Sequence, residues 1–277
     1  MNKVWFITGC STGFGRELSK LVLSLGYKAA IASRNIDDVK DIIASYPETA
    51  FAVKLDVTKA DEIVSSVNSI MEKFGQIDVL VNNAGIGYFG AAEESEEKEV
   101  RNMFEVNFFG LVNLTNQVLP IMRKQKSGHI VNIASIAGFF AFPALSFYNA
   151  TKFAVVGYSE SLAKETAHLG IKITIIAPSG FRTDWAGRSA KESPIEIEDY
   201  APTAGANRIN LRKASGHQPG DPTKGAAAIV KAVESKNPPL HLLLGVAALK
   251  NARIKLAELK NDFDSWEETT VGADAPL

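Results

Sequence analysis

Near its N-terminus the sequence is Val4-Trp5-Phe6-Ile7-Thr8-Gly9-Cys10-Ser11-Thr12-Gly13-Phe14-Gly15, and this stretch decides the fold. Its first four residues are apolar and rich in β-formers, which predicts a strand. Residues 16–25 then have apolar side chains at helical spacing, which predicts a helix. A glycine-rich loop between a strand and a helix is typical of a phosphate-binding turn, because free N–H groups and the helix dipole favour an anion there.

The three glycines of this loop have separate expected roles. Gly9 permits a tight turn, Gly13 lets the backbone approach a pyrophosphate, and Gly15 lets the helix pack closely on the strand. Their spacing is G-x-x-x-G-x-G, which differs from the G-x-G-x-x-G of the commoner dinucleotide-binding fold. An ordinary turn that uses glycine only for its geometry is the alternative, and three glycines directly after a strand disfavour it.

Composition bounds the remaining possibilities. A chain of 277 residues with 46% hydrophobic residues can form one sizeable core, and we expect a single domain over residues 1–277. The net charge of −1 gives no indication of a nucleic-acid partner. A lone cysteine, Cys10, excludes an internal disulfide and fits a reducing cytoplasm. We see no apolar run of about 18 residues, no signal peptide and no histidine spacing typical of a metal site, so we expect a cytoplasmic protein without membrane or metal.

Apolar runs alternate with amphipathic stretches along most of the chain. This alternation predicts an α/β fold, a Rossmann-type doubly wound parallel sheet with helices on both faces in three layers. The expected further strands are residues 28–33, 50–55, 77–82, 129–134, 171–177 and 240–244. The expected further helices are residues 59–74, 96–124, 147–169 and 223–235, with a C-terminal helical extension at about 246–277.

Residues 181–220 interrupt this alternation. They are polar, with glycine, proline and serine scattered through them, and they follow the strand that ends at Ala177. Ligands of α/β sheets bind beyond the carboxyl ends of the strands, so this insertion is expected to lie over the site. Its length favours a lid that is mobile without ligand over a passive surface loop.

A second group of residues indicates proton transfer. Tyr148 and Lys152 are four residues apart in a predicted helix and therefore share a face, and Ser135 stands upstream. A cation beside the phenol is expected to lower its pKa, so that Tyr148 can exchange a proton with a carbonyl or alcohol oxygen held by Ser135. A half-buried tyrosine and a solvated lysine are the alternative, which the N-terminal glycine loop makes less favourable.

These motifs occur in one order with Asn82-Asn83-Ala84-Gly85 and Asn107, and together they resemble the short-chain dehydrogenase/reductase family over residues 3–245. The pattern is similar to bacterial oxidoreductases related to retinol and hydroxysteroid dehydrogenases. The resemblance implies hydride transfer between a nicotinamide and a carbonyl carbon, with Tyr148 as acid or base. It also implies that Lys152 binds the nicotinamide ribose and that Asn107, otherwise a polar helix residue, holds a relay water.

The end of the second predicted strand selects the cofactor. An acidic residue there binds the ribose hydroxyls of NAD, whereas an arginine accommodates the 2′-phosphate of NADP. The sequence has Ser33 and Arg34 at this point, which favours NADP(H) over NAD(H). Asp37 and Asp38 are rival acidic residues, which we expect to begin the next helix instead.

The resemblance implies further cofactor contacts along the carboxyl edge of the sheet. Asp56 is expected to meet the adenine amino group, although it can also cap the following helix, and Thr183 is expected to reach the nicotinamide carboxamide. Ser179 replaces a family glycine. The complete expected set is Gly9, Ser11, Thr12, Gly13, Phe14, Gly15, Ser33, Arg34, Asp56, Val57, Asn83, Ala84, Gly85, Tyr148, Lys152, Pro178, Gly180 and Thr183.

The expected substrate pocket is apolar. We assign to it Ser135, Tyr148, Phe142, Leu145, Phe181 and Trp185, which suits a small hydrophobic or aromatic carbonyl compound; packing under the lid or at a subunit contact is the alternative for the phenylalanines. The long helices 96–124 and 147–169 correspond to a dimer interface of the family, which implies a homodimer or homotetramer. Two rival functions are an epimerase or dehydratase of the extended branch and an NADP-binding redox-sensing regulator without turnover.

Overall fold

Seven parallel strands form the central sheet of the computed structural model, which describes residues 3–275. Numbered in chain order, the strands of the chain are β1 Val4–Ile7, β2 Lys28–Ser33, β3 Ala50–Lys54, β4 Val79–Asn82, β5 Gly87–Phe89, β6 Gly128–Ile133, β7 Ile171–Pro178, β8 Ala190–Glu192 and β9 His241–Leu244. The order in the central sheet is β3-β2-β1-β4-β6-β7-β9, and every pairing between these neighbours is parallel. Strand order reverses between β1 and β4, so a crevice opens there at the carboxyl edge.

Helices cover both faces of this sheet, which confirms the predicted three-layer Rossmann-type fold. The helices are α1 Gly13–Ser24, α2 Lys40–Ser45, α3 Ala60–Phe74, α4 Glu97–Phe104, α5 Gly110–Gln125, α6 Ser146–Thr166, α7 Ala206–Lys213, α8 Pro222–Glu234, α9 Val246–Ser265 and α10 Glu267–Val271. Because side chains alternate along a strand, Trp5 and Ile7 of β1 pack with α1 and α8 on one face. Phe6 packs with α3 and α5 on the other face.

The predicted helix boundaries agree closely with the structure where glycine ends a helix. Gly75 after α3 and Gly170 after α6 have φ of 75° and 74°, a left-handed conformation that glycine adopts without strain. At the start of α8, the Asp221 carboxylate accepts a hydrogen bond from the N–H of Thr223 at 2.9 Å, and Pro222 occupies the first helical position. The long predicted helix 96–124 consists of α4, a π-helical turn at Glu105–Phe109, and α5.

Residues 181–220 contain more regular structure than their composition indicates. Strand β8 pairs in parallel with β5 to form a separate two-stranded sheet, and α7 follows. The buried Arg208 and its neighbour Arg212 form ion pairs with Glu192, and Arg212 also donates to the carbonyl of Ala190 at 2.8 Å. Backbone pairing and buried charge therefore order a segment that lacks a continuous apolar pattern.

The expected C-terminal extension contains α9 and α10, and its last two residues lie outside the described range. Within α9, which is described from end to end, Ala248 alone is buried. The helix contacts β9 and the short turn after Ser135, and residues 260–265 at its C-terminal end are all exposed. Among residues 3–275, no helix combines the length and the apolar character needed to cross a membrane.

Candidate functional site

A cavity of about 960 Å³ opens at the carboxyl edge of the sheet. Of the residues expected to bind cofactor or substrate, all except Gly15 line it, although they come from widely separated parts of the chain. Gly15 and Asn107 lie behind this lining, where they contact residues that form it. The cavity is at the upper end of the volume range of small-molecule sites, which suits a cofactor together with a substrate.

The glycine loop has the geometry that the sequence predicts. Gly9 and Gly13 have φ of 67° and 59°, and a Cβ on Gly15 would lie 2.5 Å from the carbonyl oxygen of Gly9. In the described chain, no side chain caps the start of α1 and its first turn contains no acidic residue. The N–H groups at this helix end and its positive dipole therefore face the cavity, an arrangement that fits a pyrophosphate.

Thr8 and Asn83 join the ends of β1 and β4 beneath this loop. The Thr8 Oγ1 accepts hydrogen bonds from the backbone N–H of Asn83 at 2.9 Å and of Ala84 at 3.0 Å. In return, the Asn83 amide donates to the carbonyls of Thr8 at 2.8 Å and Gly9 at 3.0 Å. The sequence marks Asn83 as a cofactor contact but does not reveal this pairing, because Thr8 is 75 residues away.

At the end of β2, Ser33 is buried and Arg34 is exposed beside it. The Ser33 hydroxyl donates to the Asp38 carboxylate at 3.5 Å, and Asp38 lines the cavity with them. Asp38 does belong to the helical turn Ile36–Val39 expected after this strand, but its side chain points back to the strand end. Sequence reasoning therefore underrated this carboxylate as part of the site.

Asp56, which follows β3, lines the cavity, but it does not cap the next helix as the sequence allowed, because the N-cap residue of α3 is Lys59 and that position has no side-chain hydrogen bond. Its carboxylate accepts hydrogen bonds from the backbone N–H and the hydroxyl of Thr58, at 3.0 and 2.8 Å. Burial raises the pKa of this carboxyl, but the Thr58 hydrogen bonds and the nearby Lys59 and Arg34 outweigh burial and lower it. Asp56 thus remains ionised while it lines the cavity.

Tyr148, Lys152 and Ser135 meet at the opposite end of the cavity. Both helix residues are buried on the inner face of α6, and the Lys152 ammonium lies 5.7 Å from the centre of the Tyr148 ring. The ammonium donates to the carbonyl of Ile133 at 2.9 Å. Ser135 begins a short helical turn, where its hydroxyl accepts from the N–H of Ala137 at 3.1 Å.

The ionisation of these groups differs from the expectation. Burial raises the pKa of the Tyr148 phenol above its ordinary value, and the neighbouring Ser135 hydroxyl opposes only part of this shift. Burial also lowers the pKa of Lys152 to about 8. The expected lowering of the phenol pKa by Lys152 is therefore wrong for the protein alone, because desolvation of the buried phenol dominates and only the Ser135 hydroxyl opposes it. Tyr148 is a protonated donor near neutral pH.

Asn107 lies in the π-helical turn, fully buried behind the cavity wall. Its amide donates to the carbonyl of Ile86 at 3.0 Å and to the Thr151 hydroxyl at 3.2 Å, and its oxygen accepts from the N–H of Ile86 at 2.8 Å. Such a turn widens the helix by one residue and is frequent at functional sites. Here it directs Asn107 against the chain beside Gly85, and we find no sequence signal for the turn itself.

The apolar part of the cavity lies over Tyr148. Tyr148 and Leu145 belong to one buried apolar cluster, against which Phe142 and Trp185 pack. Phe181 differs, because its ring packs 4.8 Å from that of Phe14 and belongs to the core beside β1, on the cofactor side. Sequence reasoning also missed wall residues from α4 and α7, whose helical pattern does not distinguish core from cavity; these include Met103, Asn207 and Leu211.

The histidines are not grouped with other metal-binding side chains. Residues 3–275 contain no cluster of three or more His, Cys, Asp or Glu side chains arranged to hold a metal ion. His129 is buried, and its ring nitrogen lies 2.9 Å from the Thr174 hydroxyl. Burial, assisted by the nearby Lys172 and Lys3, lowers its pKa to about 4, so the ring is neutral near pH 7.

Curated relatives match almost the whole chain. The chain is 39% identical to oxidoreductase BOA17 of Botryotinia fuckeliana over 274 residues, covering 99% of this chain and 100% of that protein. It is 36% identical to a 3-ketodihydrosphingosine reductase of Bacteroides thetaiotaomicron over 248 residues, covering 88% of each.

Solved structures have the same fold. A short-chain dehydrogenase from Streptomyces avermitilis superposes with a TM-score of 0.93 at 39% identity, covering 99% of this chain and 98% of that one. A short-chain dehydrogenase/reductase from Burkholderia phymatum in complex with NAD superposes with a TM-score of 0.81 at 25% identity, covering 100% of this chain and 98% of that one. ElxO with NADP bound superposes with a TM-score of 0.72 at 30% identity, covering 88% of this chain and 96% of that one.

The sequence profile of the short chain dehydrogenase family matches residues 3–194, which include the glycine loop, Asn107 and the Ser135–Tyr148–Lys152 group. This match, the relatives and the site geometry agree with one another. The chain therefore belongs to the short-chain dehydrogenase/reductase family of oxidoreductases, whose fold it shares from end to end.

Proposed function

We propose that the protein is an NADP(H)-dependent oxidoreductase that interconverts a carbonyl and an alcohol on a small hydrophobic substrate. One observation carries the proposal: the buried Tyr148, Lys152 and Ser135 line the same cavity as the anion-binding start of α1. A cofactor bound between them supplies or accepts the hydride. The protein contributes position and protons.

Each catalytic side chain has a role that its surroundings support. Tyr148 is protonated and donates to the substrate oxygen during reduction, while Ser135 holds that oxygen by a hydrogen bond. Lys152 faces the cavity with the carbonyl of Ile133 as partner, and two of its three protons remain for ribose hydroxyls. Its lowered pKa of about 8 suits a group that returns a proton towards the phenol.

Asn107 supports this arrangement from behind. By fixing the backbone at Ile86 through two hydrogen bonds, it holds Gly85 close to the Lys152 ammonium. A Cβ on Gly85 would lie 3.4 Å from the Asn107 oxygen and 3.8 Å from the Lys152 nitrogen. We infer that Asn107 positions a proton relay that ends at Lys152.

The preference for NADP(H) rests on Ser33 and Arg34. An exposed guanidinium beside the strand end matches phosphate geometry, and the buried serine leaves no carboxylate at the position that binds ribose hydroxyls. Asp38 lies near enough to weaken this preference, since its carboxylate repels a 2′-phosphate. Relatives with NAD and with NADP are both known, so the residues of this chain carry the choice.

The hydrophobic substrate follows from the wall above Tyr148, where Phe142, Leu145 and Trp185 meet. The name of the Bacteroides relative denotes reduction of a keto compound, which agrees with a carbonyl substrate. We also infer a homodimer or homotetramer through α5 and α6, supported by the exposed Phe109 and Phe153 on this side of the molecule. Cytoplasmic localisation remains a prediction from the sequence.

The test is NADPH oxidation followed at 340 nm with ketones and aldehydes of increasing apolar size. Turnover that rises with apolar size is expected, and Tyr148→Phe should bind NADPH normally yet lose about 100- to 10,000-fold in rate. NADPH binding without turnover on any carbonyl compound would favour the redox-sensing regulator. Turnover that persists in Tyr148→Phe would remove the tyrosine from the mechanism.

We infer further that residues 181–220 close over the site when substrate binds, because this segment brings Trp185 onto the catalytic face of the cavity. The pairing of β8 with β5 already holds part of this segment in place, so substrate is expected to order only its remaining loops, where ordering of backbone costs about 1–2 kcal/mol per residue that substrate contacts can offset. Hydrogen exchange should therefore slow across this segment from the free protein to the ternary complex. Equal, strong protection in both states would identify it as fixed structure.

A further inference from the structure

The C-terminal helix α9 presents an apolar stripe to solvent. Leu249, Leu256 and Phe263 are 43%, 67% and 66% exposed, and Ala252 and Leu259 lie between them on the same face. The spacing of these five residues alternates between three and four, which is the a and d pattern of a coiled coil. Trp266, 65% exposed, continues the spacing directly after the helix ends.

A helix with this exposure requires a partner. Helices in proteins are stabilised chiefly by packing of an apolar face, and an isolated helix of about 15 residues is marginal in water. Helix α9 has 20 residues, and Ala248 is the one buried residue among them. Exposed apolar surface of this extent marks an interaction site.

The charges on α9 indicate which partner fits. Its first half carries Lys250, Arg253 and Lys255 and no acidic residue. Two of the cations on α9 already have partners on the same helix: Lys255 is paired with Glu258, and Lys260, the one cation of the second half, is paired with Asp264. The second half and the start of α10 are predominantly acidic through Glu258, Asp262, Asp264, Glu267 and Glu268.

We propose that α9 pairs with α9 of a second copy of this chain in an antiparallel, two-fold symmetric coiled coil. This arrangement sets the basic half of each helix against the acidic half of the other. A parallel pair would instead set like charges side by side. A two-fold axis also makes one self-complementary surface sufficient, as is usual for protein dimers.

The heptad pattern fixes the register of the pair. In an antiparallel pair each a residue faces a d residue of the other helix. All residues of the stripe find such a partner when the two-fold axis passes midway between Leu256 and Leu259. The facing pairs are then Leu256 with Leu259, Ala252 with Phe263, and Leu249 with Trp266.

This register also places charges beside the stripe. It brings Lys255 near Asp262 of the other helix, and it sets Arg253 beside the Lys260–Asp264 pair, where the carboxylate offsets the two cations. The contact is additional to any pairing through α5 and α6, which lie elsewhere on the molecule.

Cysteine cross-linking tests the pairing and its direction. The native Cys10 is buried, so the wild type should give no cross-link under mild oxidation. The double variant Ala252→Cys/Phe263→Cys should give a disulfide-linked dimer on a non-reducing gel. Within one helix these positions are about 16 Å apart, too far for an internal disulfide. Each single variant should give no cross-linked dimer, because its two cysteines, one on each helix, are then also about 16 Å apart.

Two outcomes of this experiment overturn the proposal. A single variant that cross-links as efficiently as the double variant would show a parallel pair. Absence of a cross-link in the double variant, with its circular dichroism unchanged, would show that the helices do not pair. Asn261→Cys, on the opposite face of α9, is the matched control and should remain monomeric on the gel.

Sedimentation of the full chain gives an independent test. Leu256→Glu places a charge in the middle of the stripe and should halve the assembly mass, whereas Asn261→Glu should leave it unchanged. Since Leu256 makes no buried contact within the subunit, thermal unfolding of the protomer should be unaffected. An unchanged mass in Leu256→Glu contradicts the proposal. A halved mass without the cross-link would place the stripe against another part of the partner and would also contradict it.

Discussion

The indole of Trp185 packs on the phenol ring of Tyr148, with ring centres 4.7 Å apart and planes tilted by 48°. Phe89 supports the indole from another side at 5.6 Å, and a Cβ on Gly87 would lie 3.0 Å from it. The side chain expected to select the substrate thus touches the side chain expected to protonate it. We therefore expect a substrate bound at the phenol to contact the indole.

Replacing Trp185 should separate recognition from chemistry. Burial of a large side chain is worth about 1.5–3 kcal/mol, so Trp185→Ala should raise KM for hydrophobic ketones about 10- to 100-fold. The Kd for NADPH should stay within about twofold, because the indole lies at the substrate end. Trp185→Phe, which keeps most of the apolar area, is the matched control. An alanine variant with unchanged KM for every ketone would place the substrate elsewhere.

Lys152 should impose a pH limit on reduction. Its pKa of about 8 lies below the ordinary value of 10.5, so the ammonium is present below pH 8 and lost above it. We expect kcat/KM for reduction to fall as pH rises through about 8, and Lys152→Met to lose activity throughout. Lys164→Met, on the exposed face of the same helix, should keep the wild-type profile. A flat wild-type profile from pH 7 to 9 would contradict the assignment.

Cofactor selectivity should reverse with two substitutions. Arg34→Ala removes the expected partner of the 2′-phosphate, and Ser33→Asp adds a carboxylate that repels it and binds ribose hydroxyls. The double variant should prefer NADH in titrations of both cofactors. Asp38→Asn should act in the opposite direction, strengthening NADPH binding by removing a negative charge beside Ser33. A wild type that binds NADH more tightly than NADPH would show that Asp38, and not Arg34, dominates.

Two glycines should respond in opposite ways to alanine. In Gly15→Ala the new Cβ meets the Gly9 carbonyl and the Asn83 amide at 2.5 Å, and such overpacking costs about 1–3 kcal/mol. The variant should unfold at lower denaturant and bind cofactor weakly. At Gly157, on the exposed side of α6, a Cβ would meet nothing within 4 Å, so Gly157→Ala should stabilise the helix by about 0.5–1 kcal/mol. Equal effects at both positions would contradict the close packing inferred at the loop.

His129 should make the fold sensitive to acid. Its folded-state pKa of about 4 lies below the ordinary 6.5, so the unfolded chain binds the proton more readily between these values. Stability from this residue is complete above pH 6.5 and decreases as pH falls towards 4, by on the order of 1–3 kcal/mol. Denaturant unfolding at several pH values should show that the free energy of unfolding decreases less steeply with falling pH in His129→Gln than in wild type. Parallel curves would mean that His129 is accessible to protons when folded.

The sequence anticipates those parts of the fold that depend on neighbours along the chain. Apolar runs mark the strands of the large sheet, and Gly75 and Gly170 end helices where a left-handed residue is needed. The pairing of β5 with β8 escapes prediction, because both strands are three residues long and their partners are about a hundred residues apart. Such pairing depends on the folded body, not on local pattern.

The candidate site shows the same division. Motif residues such as Tyr148 and Lys152 are found from spacing, since a helix fixes their common face. The sequence does not predict that the pKa of the Tyr148 phenol is raised, because this shift depends on how completely the fold removes water around the side chain. The sequence around Asp38 indicates only the start of a helix, and it is the turn of the backbone after β2 that brings this carboxylate to the cavity.

The short parallel sheet has a consequence for how substrate range can change. Residues 182–189 are anchored at one end by the pairing of Phe181 with Gly220, and at the other by β8 on β5. This span carries Trp185 but none of the residues that α6 contributes. Substitutions in this span other than at Thr183, which is expected to contact the nicotinamide, can therefore change which substrates enter while Tyr148 stays in place. We expect the sequences of relatives with different substrates to differ more in this span than at the residues that transfer the proton.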